Sequence, residues 1–191
     1  MRIKYNAPVV LTFAIVSAAV LLLSQTLIPY LTVNWFMVLG RGSFRLANFR
    51  NIITVFTHVI GHADWAHLIG NFTLILVIGP MLEENYGSKD LLLMIAITAV
   101  VTGILNVLLF TSALLGASGV VFMMILLSSF TNFTKGEIPL TFILVMILYM
   151  GAQIINSFNN EDNISQFAHI VGGLVGSFFG FFNQPKLRQR K

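Results

Sequence analysis

Five long segments of the chain contain no Asp, Glu, Lys or Arg and consist mainly of apolar residues. They are residues 5–40, 65–82, 91–134, 138–160 and 163–185. A helix needs about 20 apolar residues to cross a hydrocarbon core about 30 Å thick. Four segments are long enough for one crossing each, and segment 91–134 is long enough for two, joined by a turn near Thr111 and Ser112.

We therefore predict an all-α polytopic membrane protein, with six transmembrane helices in a single domain over residues 1–191. Backbone amides in lipid must be satisfied within their own segment, which favours helices over open strands. The alternation over about 10 residues that marks barrel strands is absent from the sequence. The predicted spans, numbered 1 to 6, are residues 8–30, 65–83, 90–111, 116–133, 138–156 and 165–183. The apolar stretch of span 1 is too long for a cleaved signal peptide, so we expect it to be retained.

The composition excludes an ordinary soluble domain. Hydrophobic residues make up 57% of the chain and charged residues 9%, whereas soluble domains carry about 25% charged residues. The chain has no cysteine, so disulfides, thiolate nucleophiles and cysteine zinc sites are excluded.

The basic residues predict the topology. An even number of spans puts both termini on one side, and eight of the eleven Lys and Arg residues then fall on that side. The positive-inside rule places that side in the cytoplasm. The basic tail at 186–191 is therefore interpreted as a topology anchor, and no nucleic-acid partner is expected despite the net charge of +4.

Four polar residues lie at a similar depth in the predicted bundle. His67 and Asn71 begin span 2 at i, i+4 spacing and share one helix face. Ser118 lies near the start of span 4, and His169 about one turn into span 6. Spans 2, 4 and 6 all run inward, so the four side chains meet in the outer half of the membrane. Polar groups inside spans are costly and are candidates for function.

These residues supply the parts of an acyl-transfer site. A serine needs a base to accept its proton, and histidine has a suitable pKa range. Oxyanion donors are available from His67, from Asn71 and from the backbone N–H groups at a helix start. No Asp or Glu falls in this layer, so the minimal prediction is a Ser118–His169 dyad.

Four motifs resemble those of the rhomboid intramembrane serine proteases. Residues 116–119 (GASG) resemble the GxSG motif, and residues 168–176 resemble the AHxxGxxxG segment of the sixth helix. Residues 67–71 resemble the HxxxN motif of the second helix, and residues 83–88 resemble the ExxxGS turn that follows it. The match extends over about residues 50–183, with the motifs in the family's order.

The resemblance implies a six-transmembrane-helix rhomboid-like bundle and an intramembrane serine endopeptidase. Ser118 would be the nucleophile, and His169 the general base. The side chains of His67 and Asn71, with the backbone N–H of Ser118, would line the oxyanion hole. Small and aromatic residues would pack the helices at the site: Gly116, Gly119, Phe122, Gly172 and Gly176.

The resemblance also implies a substrate class and a cellular location. The family cleaves transmembrane segments of other membrane proteins near their outer ends and uses no metal or cofactor. The expected location is a bacterial plasma (inner) membrane, in contact with lipid, with an active site that opens to the external side. Phe122 replaces a tyrosine that the family often stacks on the catalytic histidine. Phe49-Arg50 is only a loose counterpart of the family's Trp-Arg pair, so no role is transferred to it.

Several alternatives stay open at this level. His58 and His62 could belong to a metal site, but no third ligand is evident, and we expect a hydrogen-bonded cap above the site. The polar loop 156–165 is either a lid or an ordinary solvated connection, and span 5 is a candidate lateral entry for substrate. A transporter or channel would use the same polar residues as a pathway, and a catalytically inactive relative would only bind membrane clients.

Overall fold

The computed structural model describes residues 4–131, 138–150 and 163–183, and these residues form helices and connections. The helices are α1 (Pro8–Thr26), α2 (Leu31–Trp35), α3 (Phe49–Thr57), α4 (Trp65–Tyr86), α5 (Ser88–Leu109), α6 (Ser118–Ser128), α7 (Leu140–Val145) and α8 (Asn163–Phe182). A π-helical turn, Met146–Met150, continues α7. Helices α1, α4 and α5 are long and apolar enough to cross a membrane. The count of six spans stays a prediction.

Helix α1 ends at Thr26, earlier than the predicted end of span 1 at residue 30. Pro29 follows in the sequence, and a proline disfavours helical geometry in the residue before it. Tyr30 has a φ of 66°, a left-handed conformation that cannot continue an α-helix. The short helix α2 then begins at Leu31.

Helix α6 is the centre of the bundle. Every residue from Gly119 to Leu127 is buried, as expected for a helix that is apolar on all sides. It packs along α8 and also contacts α4, α5 and α7. Span 4 was predicted over 116–133, whereas the helix itself runs from Ser118 to Ser128, so the nonhelical connection after α5 lasts from residue 110 to 117.

The carboxylate of Glu83 joins the first two long helices. It is buried at the end of α4. Its two oxygens accept hydrogen bonds from the backbone N–H groups of Val9 and Val10, both at 3.0 Å, and from the Ser88 hydroxyl at 2.6 Å. The first N–H groups of a helix have no partner within the helix and favour a negative charge. Glu83 therefore caps α1 and fixes it against the turn between α4 and α5.

Loss of this carboxylate is expected to destabilise the fold. Glu83→Ala leaves three donors without their acceptor, and hydrogen bonds to a charged group are each worth about 1.5–3 kcal/mol. We expect a loss of about 3–5 kcal/mol, and a smaller loss for Glu83→Gln, which keeps one acceptor oxygen. Thermal unfolding of the purified chain in detergent measures both. A Glu83→Ala protein as stable as wild type would contradict the capping role.

Candidate active site

The connection before α6 is held from several sides. Val38 and Leu114 exchange two backbone hydrogen bonds of 3.1 and 2.9 Å. The amide of Asn106 donates to the Ser112 carbonyl at 3.2 Å. The N–H of Gly116 donates to the His58 carbonyl at 3.0 Å. These bonds fix the last residues before Ser118 and hence the position of its side chain.

Ser118 is the first residue of α6. Gly116, two residues earlier, has a φ of 115°, which favours glycine because other side chains are strained there. The chain can therefore turn sharply into the helix. Ser118 thus opens a helix whose first backbone N–H groups have no partner within the helix. Ser118 itself is half-buried.

The start of α4 brings two hydrogen-bond donors, the side chains of His67 and Asn71, to the connection that precedes Ser118. The Asp64 carboxylate accepts from the backbone N–H of His67 at 2.8 Å and so caps the helix. His67 and Asn71 then share a face one turn apart. A Cβ placed on Gly116 would lie 2.6 Å from Nε2 of His67 and 3.7 Å from the side-chain nitrogen of Asn71. The structure therefore brings both side chains against the connection that leads into Ser118.

His62 orients Asn71. Nδ1 of His62 lies 3.1 Å from the Ile60 carbonyl, and Nε2 lies 3.1 Å from Nδ2 of Asn71. A carbonyl can only accept, so Nδ1 carries the proton and Nε2 accepts from the Asn71 amide. One N–H of Asn71 is thereby used, and Nδ2, which also carries the second N–H, lies on the side of Gly116. The His62 and His67 rings meet edge to face with centroids 5.0 Å apart.

Helix α8 places His169 beside the first turn of α6. The His169 imidazole stacks flat on the Phe122 ring, with centroids 4.2 Å apart and an interplanar angle of 8°. Ser118 and Phe122 are four residues apart on α6 and therefore lie on one face. The imidazole thus lies along the face of α6 that carries Ser118, and His169 is half-buried.

The position of α8 along α6 depends on close contact between the two helix backbones. A Cβ on Gly172 would collide with the Gly119 carbonyl group, and one on Gly176 would collide with the carbonyl group of Met123. Both contacts step by four residues along each helix, so α6 and α8 run in parallel. Small residues permit this approach between apolar helices. Each glycine is needed because any side chain there would separate the helices.

A row of buried polar residues behind the site was missed from the sequence. Thr98, Thr102 and Asn106 are spaced by four residues on α5, and each is buried. The Thr102 hydroxyl lies 3.3 Å from Nε2 of His58, whose Nδ1 lies 3.1 Å from the Val55 carbonyl. The signal was present in the sequence, because i, i+4 polar spacing inside an apolar span marks one interior face.

His58 and His62 lie in the connection that precedes α4, where burial lowers the pKa of each ring to about 4. Burial disfavours the charged imidazolium and outweighs the backbone hydrogen bonds that favour it. Both rings are therefore neutral near pH 7. Neutrality agrees with His62 acting as an acceptor for Asn71, since an imidazolium has no acceptor nitrogen.

Arg50, to which the sequence assigned no role, contacts an aromatic ring. Its guanidinium carbon lies over the Trp35 ring, 5.0 Å from the ring centroid. This cation–π contact ties α3 to α2.

Most of the loop proposed as a lid, up to residue 162, lies outside the described residues, as does the part of span 5 after residue 150.

Comparison with known proteins agrees with the motifs. A family model described as the Rhomboid domain matches residues 50–186. The rhomboid protease GlpG of Haemophilus influenzae is 25% identical over 136 residues, which cover 70% of this chain and 70% of that protein.

Proposed function

The chain belongs to the rhomboid family, whose members include intramembrane proteases, and from this premise we propose that it is a serine endopeptidase that cleaves transmembrane segments of other membrane proteins near their external ends. Ser118 is the nucleophile and His169 the general base. The proposed location is a bacterial inner membrane, with both termini in the cytoplasm and the site open to the external side. Its partners are transmembrane protein substrates and the surrounding lipid.

The observation that carries this proposal is the stacking of His169 on Phe122. It holds the imidazole on the face of α6 that begins with Ser118. A base for a serine nucleophile must be held within hydrogen-bond reach in the reacting complex. In our proposal an aromatic ring and glycine contacts hold His169 there, and no third, acidic residue is needed. Hydrolytic sites vary in that third member.

The proposed reaction has two halves. The Ser118 oxygen attacks the carbonyl carbon of the scissile peptide while His169 takes the hydroxyl proton. His169 then gives that proton to the leaving amine as the C–N bond breaks, and an acyl-enzyme remains. Water attacks the ester and loses a proton to His169, and the acid product leaves as His169 returns the proton to the Ser118 oxygen.

The oxyanion of each tetrahedral intermediate needs preorganised donors. In our proposal these are the ring N–H of His67, the free N–H of Asn71 and the backbone N–H of Ser118. Two observations support this assignment: His67 and Asn71 lie against Gly116, and Ser118 opens a helix. Because the His62 acceptor fixes the Asn71 amide, little reorganisation is needed during the reaction.

The length of α6 supports a site below the membrane surface. Its 11 residues span about 16 Å, about half of the 30 Å hydrocarbon thickness. A helix this short that starts at Ser118 can end at the cytoplasmic interface only if Ser118 lies well inside the bilayer. The proposed cleavage point within a transmembrane segment needs a nucleophile at such a depth.

A reconstituted assay tests the proposed function. The full chain is placed in proteoliposomes with a single-span substrate, and the products are measured by mass spectrometry. We expect two products whose masses place the cut near the external end of the substrate's span. A chain that leaves the substrate intact and instead conducts ions or solutes across the vesicle membrane would favour the transporter alternative and reject the protease.

His62 is expected to act on catalysis through Asn71. His62→Phe keeps an aromatic ring but removes the acceptor, so the Asn71 amide loses its fixed orientation. Loss of one oxyanion donor costs about 100- to 1000-fold in kcat, and we expect about 10- to 100-fold here because the donor is disordered but still present. KM should change little. His62→Gln, which can still accept, should recover part of kcat. A rise in KM at constant kcat would contradict this role.

A further inference from the structure

An aromatic contact that belongs to none of the four motifs joins Phe110 to Phe167. Phe110 follows the last residue of α5, and Phe167 lies in α8, two residues before His169. The ring centroids are 4.9 Å apart, and the ring planes are inclined by 56°, within the range of favourable aromatic pairs. The contact therefore links the connection that leads into Ser118 directly to the helix that carries His169.

The backbone at Phe110 is a firm support for this contact. Its N–H donates to the Asn106 carbonyl at 2.9 Å, and its carbonyl accepts from the N–H of Arg41 at 2.6 Å. A Cβ on Gly40 would collide with the carbonyl group of Thr111, so the segment before α3 packs closely against the residue that follows Phe110. Because the chain is held at this point, the Phe110 ring can restrain the helix that it touches.

The Phe110 contact and the histidine stack act on opposite sides of α8. Successive residues of an α-helix are about 100° apart around the axis, so side chains two positions apart point in nearly opposite directions. Phe167 meets Phe110 on one side, and His169 stacks on Phe122 on the other. Ala168, between them in the sequence, is buried, so the two rings flank the inner face of the helix. A rotation of α8 about its own axis would displace both rings, and each contact resists it.

A small rotation of α8 is enough to misplace the base. Side-chain atoms lie up to about 6 Å from a helix axis, and a rotation of about 10° moves such an atom by about 1 Å. A displacement of this size can cost about 100-fold in rate. The contacts at Gly172 and Gly176 are between backbones, which lie closer to the axis, so they fix the separation of α6 and α8 more firmly than the rotation. A contact at the radius of the side chains resists rotation with a longer lever arm.

We propose that Phe110 and Phe167 are positioning residues for His169. Their contact sets the rotation of α8 at which the imidazole reaches the Ser118 hydroxyl. This inference rests on the proposed function, because it concerns the same nucleophile and the same base. Loss of the contact leaves both catalytic groups in the chain and places the base less well, so the rate of the chemical step falls while substrate binding stays the same.

Labelling of the purified full chain with a fluorophosphonate tests the proposal, because it gives both the rate of labelling and the final number of adducts per chain. Phe167→Ala should label Ser118 about 10- to 30-fold more slowly than wild type, somewhat less than the loss for a displacement of about 1 Å, because the Phe122 stack remains. It should still reach the final number of adducts of wild type. In the proteoliposome assay kcat should fall by a similar factor, with KM unchanged.

Matched variants separate this contact from packing in general. Phe178 is another phenylalanine of α8, and its ring lies 4.6 Å from that of Phe182, so Phe178→Ala removes a similar contact away from the site and should label at the wild-type rate. Phe167→Tyr keeps the ring and should stay within about threefold of wild type. If Phe167→Ala does not fold, Phe167→Leu keeps most of the apolar volume and should still label about fivefold more slowly. Adding Phe110→Ala to Phe167→Ala should slow labelling no further, because the two rings form one contact.

The opposite results are distinct from one another. Phe167→Ala that labels at the wild-type rate would overturn the positioning role, whether its final number of adducts is full or reduced, since a reduced number at an unchanged rate indicates only partial unfolding. Losses that multiply in the double variant would overturn it as well. These results leave the proposed function intact, whereas a wild-type chain with no adduct on Ser118 would reject the proposed function and this inference together.

Discussion

Replacing Ser118 or His169 by alanine should abolish peptide cleavage. Ser118→Ala removes the attacking oxygen, and His169→Ala removes the group that takes its proton and later protonates the leaving amine. In serine proteases such changes lower kcat by about 10⁴- to 10⁶-fold, and we expect at least about 10⁴-fold for each here. Cleavage of a single-span substrate in proteoliposomes, followed over hours, measures the loss.

A control variant and a double variant test the dyad further. Ser128 lies at the other end of α6, where its hydroxyl donates to the Ile125 carbonyl, so Ser128→Ala should retain activity within about twofold. The double variant of Ser118 and His169 should be no worse than either single variant, because the two groups act as a unit. Additive losses, or full activity in either single variant, would contradict the dyad.

Gly172→Ala should inactivate the protein by separating two helices. The added methyl collides with the carbonyl of Gly119 and would lie 2.9 Å from its Cα. The clash is between backbones, so rotation of a side chain cannot relieve it. Overpacking of this kind costs about 1–3 kcal/mol. It also moves His169 away from Ser118, and a displacement of about 1 Å can cost about 100-fold in rate.

Gly70→Ala is the matched control for this change. Gly70 lies in α4 beside Asn71, and a Cβ there would meet no heavy atom within 4 Å beyond its chain neighbours and the backbone of its own helix. Alanine also favours helix over glycine by about 1 kcal/mol, so the variant should be at least as stable as wild type and active. Thermal unfolding and cleavage are measured on both variants. A Gly172→Ala protein that keeps wild-type rates would show that the close contact of α6 and α8 is not needed.

The sequence predicts those features of the molecule that arise from local patterns. Charge-free segments indicate where apolar helices run, and helices α4 and α5 follow two of them closely. The i, i+4 spacing of His67 and Asn71 predicts their shared face. The motif order indicates the rhomboid family, which the family match confirms. The assignment of catalytic roles to Ser118 and His169 stays a proposal.

Other features arise from contacts between distant parts of the chain, which no local pattern encodes. The Gly116 amide binds the carbonyl of His58, 58 residues earlier in the chain. The Arg50 guanidinium covers Trp35, a pairing that depends on how α2 and α3 cross. Each of these contacts forms only when the helices have packed.

The most direct test of the Ser118–His169 dyad is labelling of the purified protein with a fluorophosphonate, followed by peptide mapping. Wild type should carry one adduct, on the Ser118 oxygen. Ser118→Ala should carry none, and His169→Ala almost none, while Ser128→Ala should label at the wild-type rate. An adduct that maps to another residue, or labelling that survives in Ser118→Ala, would contradict the proposed mechanism.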